Sequence, residues 1–257
     1  MSADPAELAR IVDEAARTGT AIPQLSNTHG EMSIDAAYAV QALSMGRRFG
    51  RGERLVGIKM GFTSRAKMVQ MGLSDMIWGR LTSGMQLEDG GSMAFSSYVH
   101  PRFEPEVAFV MKKRLAGPVS PAQALAAVEA VCVAMEIIDS RYENFKFSLS
   151  DVIADNSSSS GFVLGPWRSP DVDLANLGMI CEIDGKPVQI GSTAAILGHP
   201  VRSLAAASRI VAEHGMALEP GWVVMAGGAT AATYVKPGNH LRVVAENLGS
   251  VGLHVGE

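Results

Sequence analysis

The stretch Phe103-Glu-Pro-Glu-Val-Ala-Phe-Val-Met111 constrains this chain more than any other. Read with the period of a strand, Phe103, Pro105, Val107 and Phe109 fall on one face, and Glu104, Glu106, Ala108 and Val110 on the other. From Val107 onward both faces are apolar. That is the pattern of a strand buried on both sides, so the glutamates at its head face the interior or a cleft. Two carboxylates two residues apart on a strand stand roughly 6.5–7 Å apart at the backbone and point the same way. Left bare they repel and raise each other's pKa. A hard divalent cation, Mg²⁺ or Mn²⁺, removes the conflict because it prefers oxygen ligands. A third carboxylate follows in Met135-Glu-Ile-Ile-Asp139, near the end of the apolar run Val131–Ile138. An ionised Glu136 in such a run needs a cationic partner. Arg141 is the ordinary structural candidate, and a metal shared with Glu104 and Glu106 is the sharper one.

The bulk numbers exclude several function classes. A chain of 257 residues fits one large domain. Its formal charge of −4, with no basic cluster, argues against nucleic acid and against an anionic membrane surface. The two cysteines, Cys132 and Cys181, sit in apolar strand-like runs and read as reduced core residues. The N-terminus lacks the basic-then-apolar order of a signal peptide, and no apolar run reaches membrane-spanning length, so a cytoplasmic protein is expected.

Taken in order, Asp4-Pro-Ala-Glu7 is a helix start and Gly19 its stop. Ser33 opens a second helix running to Gly50, and His29 and Glu31 between them read as polar loop. Arg54–Gly61 reads as a buried strand carrying Lys59. Either this lysine snorkels from an edge strand or its ammonium faces the same anionic pocket as the glutamates. Ser64 caps a short helix from Arg65 to Met71. Ser74–Gly84, with Trp78-Gly79-Arg80, reads as a surface loop or a mobile lid. Ser120-Pro-Ala-Gln123 is a capping box opening a helix to about Ala130. Phe147–Asp155 is a short helix, and Asn156-Ser-Ser-Ser-Ser-Gly161 a tight turn whose hydroxyls suit an anionic ligand. Met179–Ile190 is a hairpin turning at Asp184-Gly185, and Val201–His214 an amphipathic helix. The glycines of Ala226-Gly-Gly-Ala-Thr230 follow the strand Trp222–Met225 and allow close backbone approach, without the order of a nucleotide-binding loop.

Five of these motifs together, Gly57-Ile-Lys-Met-Gly-Phe-Thr63, Glu104-x-Glu106, Glu136-Ile-Ile-Asp-Ser-Arg141, Ala154-Asp-Asn-Ser-Ser158 and Gly227-Gly-Ala-Thr230, resemble the fumarylacetoacetate hydrolase superfamily. They look most like its branch of 2-oxo-3-hexenedioate (4-oxalocrotonate) decarboxylases and vinylpyruvate hydratases. The resemblance covers nearly the whole chain. It implies an α+β fold, a mixed β-roll with residues 1–52 as a helical N-terminal cap, in one catalytic domain spanning 1–257. It also implies one Mg²⁺ or Mn²⁺ held by Glu104, Glu106 and Glu136, and a place in meta-cleavage breakdown of aromatic compounds. Lys59 would be the cationic group of the pocket and, with Asp139, catalytic. Ser158, Ser160 and Thr230 would be substrate-side groups, and Arg80 would meet a second substrate carboxylate. The Lys59-Met-Gly order and Ile77-Trp-Gly-Arg80 look more like the decarboxylase, which converts a small 2-oxo dicarboxylate to 2-hydroxypenta-2,4-dienoate and CO₂. A vinylpyruvate hydratase, and a non-catalytic subunit that stabilises a partner enzyme, are the alternatives. Homo-oligomers, and association with the pathway hydratase, are the expected partners.

Overall fold

Local signals set the helices at the N-terminus of the computed structural model, which describes residues 4–64, 68 and 75–257. The Asp4 carboxylate accepts a hydrogen bond from Ala6 N at 3.0 Å and opens α1 (Pro5–Thr18). Gly19, at φ +60°, closes it in the left-handed conformation that glycine adopts at little cost. After α2 (Leu25–His29), Ser33 caps α3 (Ile34–Gly50), which packs on α1. The buried Asp13 of α1 accepts from Arg47 and from both terminal nitrogens of Arg51, pinning the two helices together. The loop expected around His29 is thus partly helical. Leu25 is buried there, and Ser26 donates to Asp151 through both its amide and its hydroxyl.

Two sheets form the body. The first runs β2 (Ile77–Thr82), β1 (Leu55–Gly61), β10 (Val223–Met225), β5 (Arg102–Met111), β6 (Val128–Ile138), β7 (Ser159–Leu164), β3 (Gln86–Leu87). A short β11 (Thr233–Tyr234) pairs with the start of β5. The β1–β10 and β3–β7 pairs are parallel and the rest antiparallel. The second sheet runs β4 (Ser92–Ala94), β13 (Gly249–Gly256), β12 (His240–Ala245), β8 (Gly178–Ile183), β9 (Lys186–Ser192). Its strands β12 and β13 lie against β6. The hairpin β8–β9 turns at Asp184 and Gly185, both at positive φ, as its Asp-Gly sequence requires.

The expected two-sided burial of the Glu104 strand is present. Phe103, Val107 and Phe109 join the main core with the second sheet, while Ala108 joins a smaller cluster with Leu81, Met85, Cys132, Phe162 and Met45 of α3. The first sheet curls, so that β2 at one edge touches β7 near the other. Both cysteines are buried and free.

Two expectations change, and a third is not tested. The capping box at Ser120 forms, but its helix α4 (Pro121–Leu125) is a single turn and β6 begins at Val128. The register of a long, largely buried strand there outweighs the helix propensity of its alanines. Ser74–Gly84 is neither surface loop nor lid where described, because Ile77–Thr82 forms β2, with Trp78 fully buried and register-paired to β1. The helix expected from Arg65 to Met71 lies outside the described residues.

Candidate metal centre

Register assembles the acidic cluster. In the antiparallel β5–β6 pair Glu104 stands directly opposite Glu136, and Glu106 is opposite Ala134. Residues opposite one another, and residues two apart, share a face of the sheet, so all three carboxylates emerge on one side. One oxygen of each lies within 4.8 Å of the others. Lys59 comes from β1, where it pairs with Gly79 of β2 and Met225 of β10. Its Nζ is 3.1 Å from Glu136 Oε1. Arg141, the alternative partner for Glu136, is instead spent on Asp155 and Ser160.

The electrostatics of the cluster are unbalanced. Glu106 and Glu136 are fully buried, and Lys59 is 3 % exposed. Glu106 Oε2 accepts from Gly227 N at 2.7 Å. Its Oε1 and both oxygens of Glu136 are buried without a satisfying hydrogen bond, and Lys59 meets Glu136 as an ion pair. Burial, then repulsion from Glu136 and Glu104, pushes Glu106 well above the usual carboxylate range. Burial alone would depress Lys59, but attraction to Glu136, Glu104 and Glu106 outweighs it and holds the ammonium above its ordinary pKa. Among the described residues one ammonium faces this cluster, and the buried, unpartnered oxygens of Glu106 and Glu136 form a place that a hard divalent cation fits. The oxygen-only donor set is that of Mg²⁺ or Mn²⁺ rather than of a softer metal.

Glycine makes room at this centre. A Cβ on Gly228 would lie 2.4 Å from Glu104 Oε2. Gly228→Ala is therefore expected to displace that carboxylate and weaken Mg²⁺ binding about 10- to 100-fold, the range for disturbed ligand positioning. Isothermal titration with Mg²⁺ checks it.

The cluster opens on a cavity of about 430 Å³ whose wall includes Lys59, Thr63, Arg102, Glu104, Phe145, Phe147, Ser158 and Gly228. Ser158 reaches it through an unusual turn. Asn156, Ser157 and Ser158 are all left-handed, at φ 50°, 53° and 59°, a conformation costing about 1–3 kcal/mol per non-glycine residue. Contacts to β2 hold it: the Asn156 side chain accepts from Arg80 N at 2.7 Å and donates to Arg80 O at 2.9 Å, and Ser157 Oγ donates to Trp78 O at 2.8 Å. The outcome is a buried Ser158 hydroxyl with no protein partner, in the cavity wall.

The other sequence candidates lie elsewhere. Arg80 falls opposite Ile58, on the face away from Lys59. Its guanidinium sits 4.6 Å over the Trp78 ring and donates to Gln41. Asp139 accepts from Val99 N and His100 N at 2.8 Å each, joining that loop to the end of β6. Ser160 accepts from Arg141, and Thr230 donates to Ala231 O at 3.1 Å. None of these four lines the cavity. Arg102, Phe145 and Phe147 do, and were not singled out from sequence. Arg102 was legible in principle, two residues before Glu104 and so on its face of the strand.

Comparison with known proteins agrees with this architecture. Residues 86–255 match the C-terminal domain family of fumarylacetoacetate hydrolase. A 4-oxalocrotonate decarboxylase of Pseudomonas sp is 55% identical over 244 residues, 95% of each chain. A TodF product hydratase of Pseudomonas putida is 37% identical over 95% of this chain and 92% of that one. A solved 4-oxalocrotonate decarboxylase from Pseudomonas putida G7, complexed with magnesium and adipate, superposes with a TM-score of 0.95 at 40% identity, over 98% of this chain and 97% of that chain. With curled sheets, N-terminal helices and sequence all in agreement over most of its length, this chain belongs to the fumarylacetoacetate hydrolase family.

Proposed function

We propose that the protein is a divalent-metal-dependent decarboxylase that converts 2-oxo-3-hexenedioate (4-oxalocrotonate) to 2-hydroxypenta-2,4-dienoate and CO₂. The observation that carries this reading is the set of three converging carboxylates, with unsatisfied buried oxygens, at the head of a cavity that also holds a buried ammonium. The 55% identity to a decarboxylase, against 37% to a hydratase, favours loss of CO₂ over addition of water. The whole chain serves as one catalytic unit, with residues 1–52 as its helical cap, and Mg²⁺ or Mn²⁺ is its cofactor.

Glu104, Glu106 and Glu136 would hold the ion, which supplies Lewis acidity toward a 2-oxo acid. The chain's own groups do the rest. In the reaction the bond between C5 and the distal carboxyl breaks, CO₂ departs, and its electron pair moves through the conjugated chain toward the C2 oxygen. Lys59 presents a fixed positive charge where that negative charge develops, in a site sheltered from water. The Ser158 hydroxyl is positioned to donate to a substrate oxygen, and Phe145 and Phe147 exclude water from the chain. A homo-oligomer, and association with the hydratase that consumes the product, complete the reading. No described helix is long and apolar enough to cross a membrane, in keeping with a cytoplasmic site of action.

Purified protein with Mg²⁺ is expected to release CO₂ from 2-oxo-3-hexenedioate, and EDTA to abolish the release until Mg²⁺ is restored. Formation of a 4-hydroxy-2-oxo acid from 2-hydroxypenta-2,4-dienoate, with no CO₂ from the dicarboxylate, would instead establish the hydratase.

A further inference from the structure

Arg102 precedes Glu104 by two residues on β5, so its side chain leaves the strand on the same face as Glu104 and Glu106. It lines the cavity with Glu104 and Lys59. The guanidinium carbon lies 3.7 Å from the centre of the Phe145 ring and 3.9 Å from that of Tyr234, two rings set at 82° to each other. Asn144 and Phe145 are both left-handed, at φ 60° and 57°, and this turn brings the Phe145 ring against the arginine. One terminal nitrogen donates to the Tyr234 hydroxyl, a neutral partner, and the buried Nε has none. Contact with the two rings and the bond to the Tyr234 hydroxyl hold the fork in place beside the cavity. A carboxylate is the acceptor whose geometry matches that fork.

Spacing points to which carboxylate. Alternate residues of a strand are roughly 6.5–7 Å apart, close to the length of an extended six-carbon diacid. A 2-oxo acid whose C1 end lies at the Glu104–Glu106–Glu136 cluster would therefore bring its far end toward Arg102. Arg80 does not reach this cavity.

Building on the proposed site for the 2-oxo acid, we propose that Arg102 is the specificity-determining residue. Held against Phe145 and Tyr234, it reads the distal carboxylate and makes the site selective for 2-oxo dicarboxylates over 2-oxo monocarboxylates. Decarboxylation dissipates the distal charge, so this contact is strongest with bound substrate and contributes to selection rather than to lowering the barrier.

The test uses two acids that share the 2-oxo end and lack the C3–C4 double bond, 2-oxoadipate and 2-oxohexanoate. Each is titrated calorimetrically into the Mg²⁺-loaded protein. The wild type is expected to prefer 2-oxoadipate by about 10- to 100-fold, the range for a charge-assisted hydrogen-bonded pair. Arg102→Gln is expected to erase that preference while still binding 2-oxohexanoate, and Arg102→Lys to retain part of it. An unchanged preference in Arg102→Gln, an equal loss for both acids, or no preference in the wild type would overturn the assignment. Selective binding of 2-oxoadipate together with no CO₂ from 2-oxo-3-hexenedioate would support the role of Arg102 while removing the proposed reaction.

Discussion

Replacing Glu136 by glutamine is expected to lower Mg²⁺-dependent turnover at least about a thousandfold, a loss of roughly 4 kcal/mol in transition-state stabilisation. Glutamine keeps the volume, and its amide finds acceptors in the neighbouring Glu104 and Glu106 carboxylates, so the core around Phe162 and Met135 is undisturbed. The change removes one of the three carboxylates proposed to hold the ion and also the partner of Lys59. The metal-free variant is expected to melt no lower than the metal-free wild type, because a repulsive centre has lost a charge. Function is traded there against stability. Calorimetric Mg²⁺ titration and thermal melts of the two metal-free proteins read the two effects separately. Wild-type Mg²⁺ affinity in Glu136→Gln would show that this carboxylate is not a ligand.

Lys59→Met should act in the opposite direction on stability. The ammonium is the described cation among Glu104, Glu106 and Glu136. Removing one member of a buried charged cluster costs about 3–5 kcal/mol, since the fully buried Glu136 carboxylate loses its ion-pair partner. In a chain of this size that corresponds to a fall in melting temperature of about 10 °C for the metal-free protein. Mg²⁺ at millimolar concentration is expected to recover much of the fall by binding only the folded state. Turnover is not recovered, and is expected to stay about a hundredfold or more below wild type, because the charge proposed to face the developing enolate is gone. A metal-free melting temperature equal to that of the wild type would mean that Lys59 does not balance the cluster.

The acidic centre was largely legible because each of its parts has a local signature. A strand apolar on both faces cannot place Glu104 and Glu106 in bulk water, whatever lies beside it, and Glu136 inside its own apolar run carries the same message. Helix ends were equally local: Asp4, Ser33 and Ser120 accept the bonds their spacing foretold, and Gly19 takes the left-handed stop. The errors fall where local preference met a distant neighbour. The alanines after Pro121 favour helix, but β5 offers Val128 and its successors a full ladder of partners, and strand prevails. Trp78-Gly79-Arg80 has the composition of a loop, yet its glycine is needed because the Asn156 carbonyl lies 2.4 Å from where a Cβ would be. That neighbour is 77 residues away in sequence.

The sequence by itself determined that this chain has two long buried strands with carboxylates on their inward faces, a lysine on a third, and capped helices ahead of them. These follow from periodicities and hydrogen bonds spanning only a few residues. Which of the two strand arginines, Arg80 or Arg102, lines the cavity was decided by tertiary structure alone. On a strand the choice of face alternates with every residue, and the register that settles it comes from partners far along the chain. Thus Arg80, opposite Ile58, turns away from Lys59, and Arg102, in step with Glu104, turns toward the cavity.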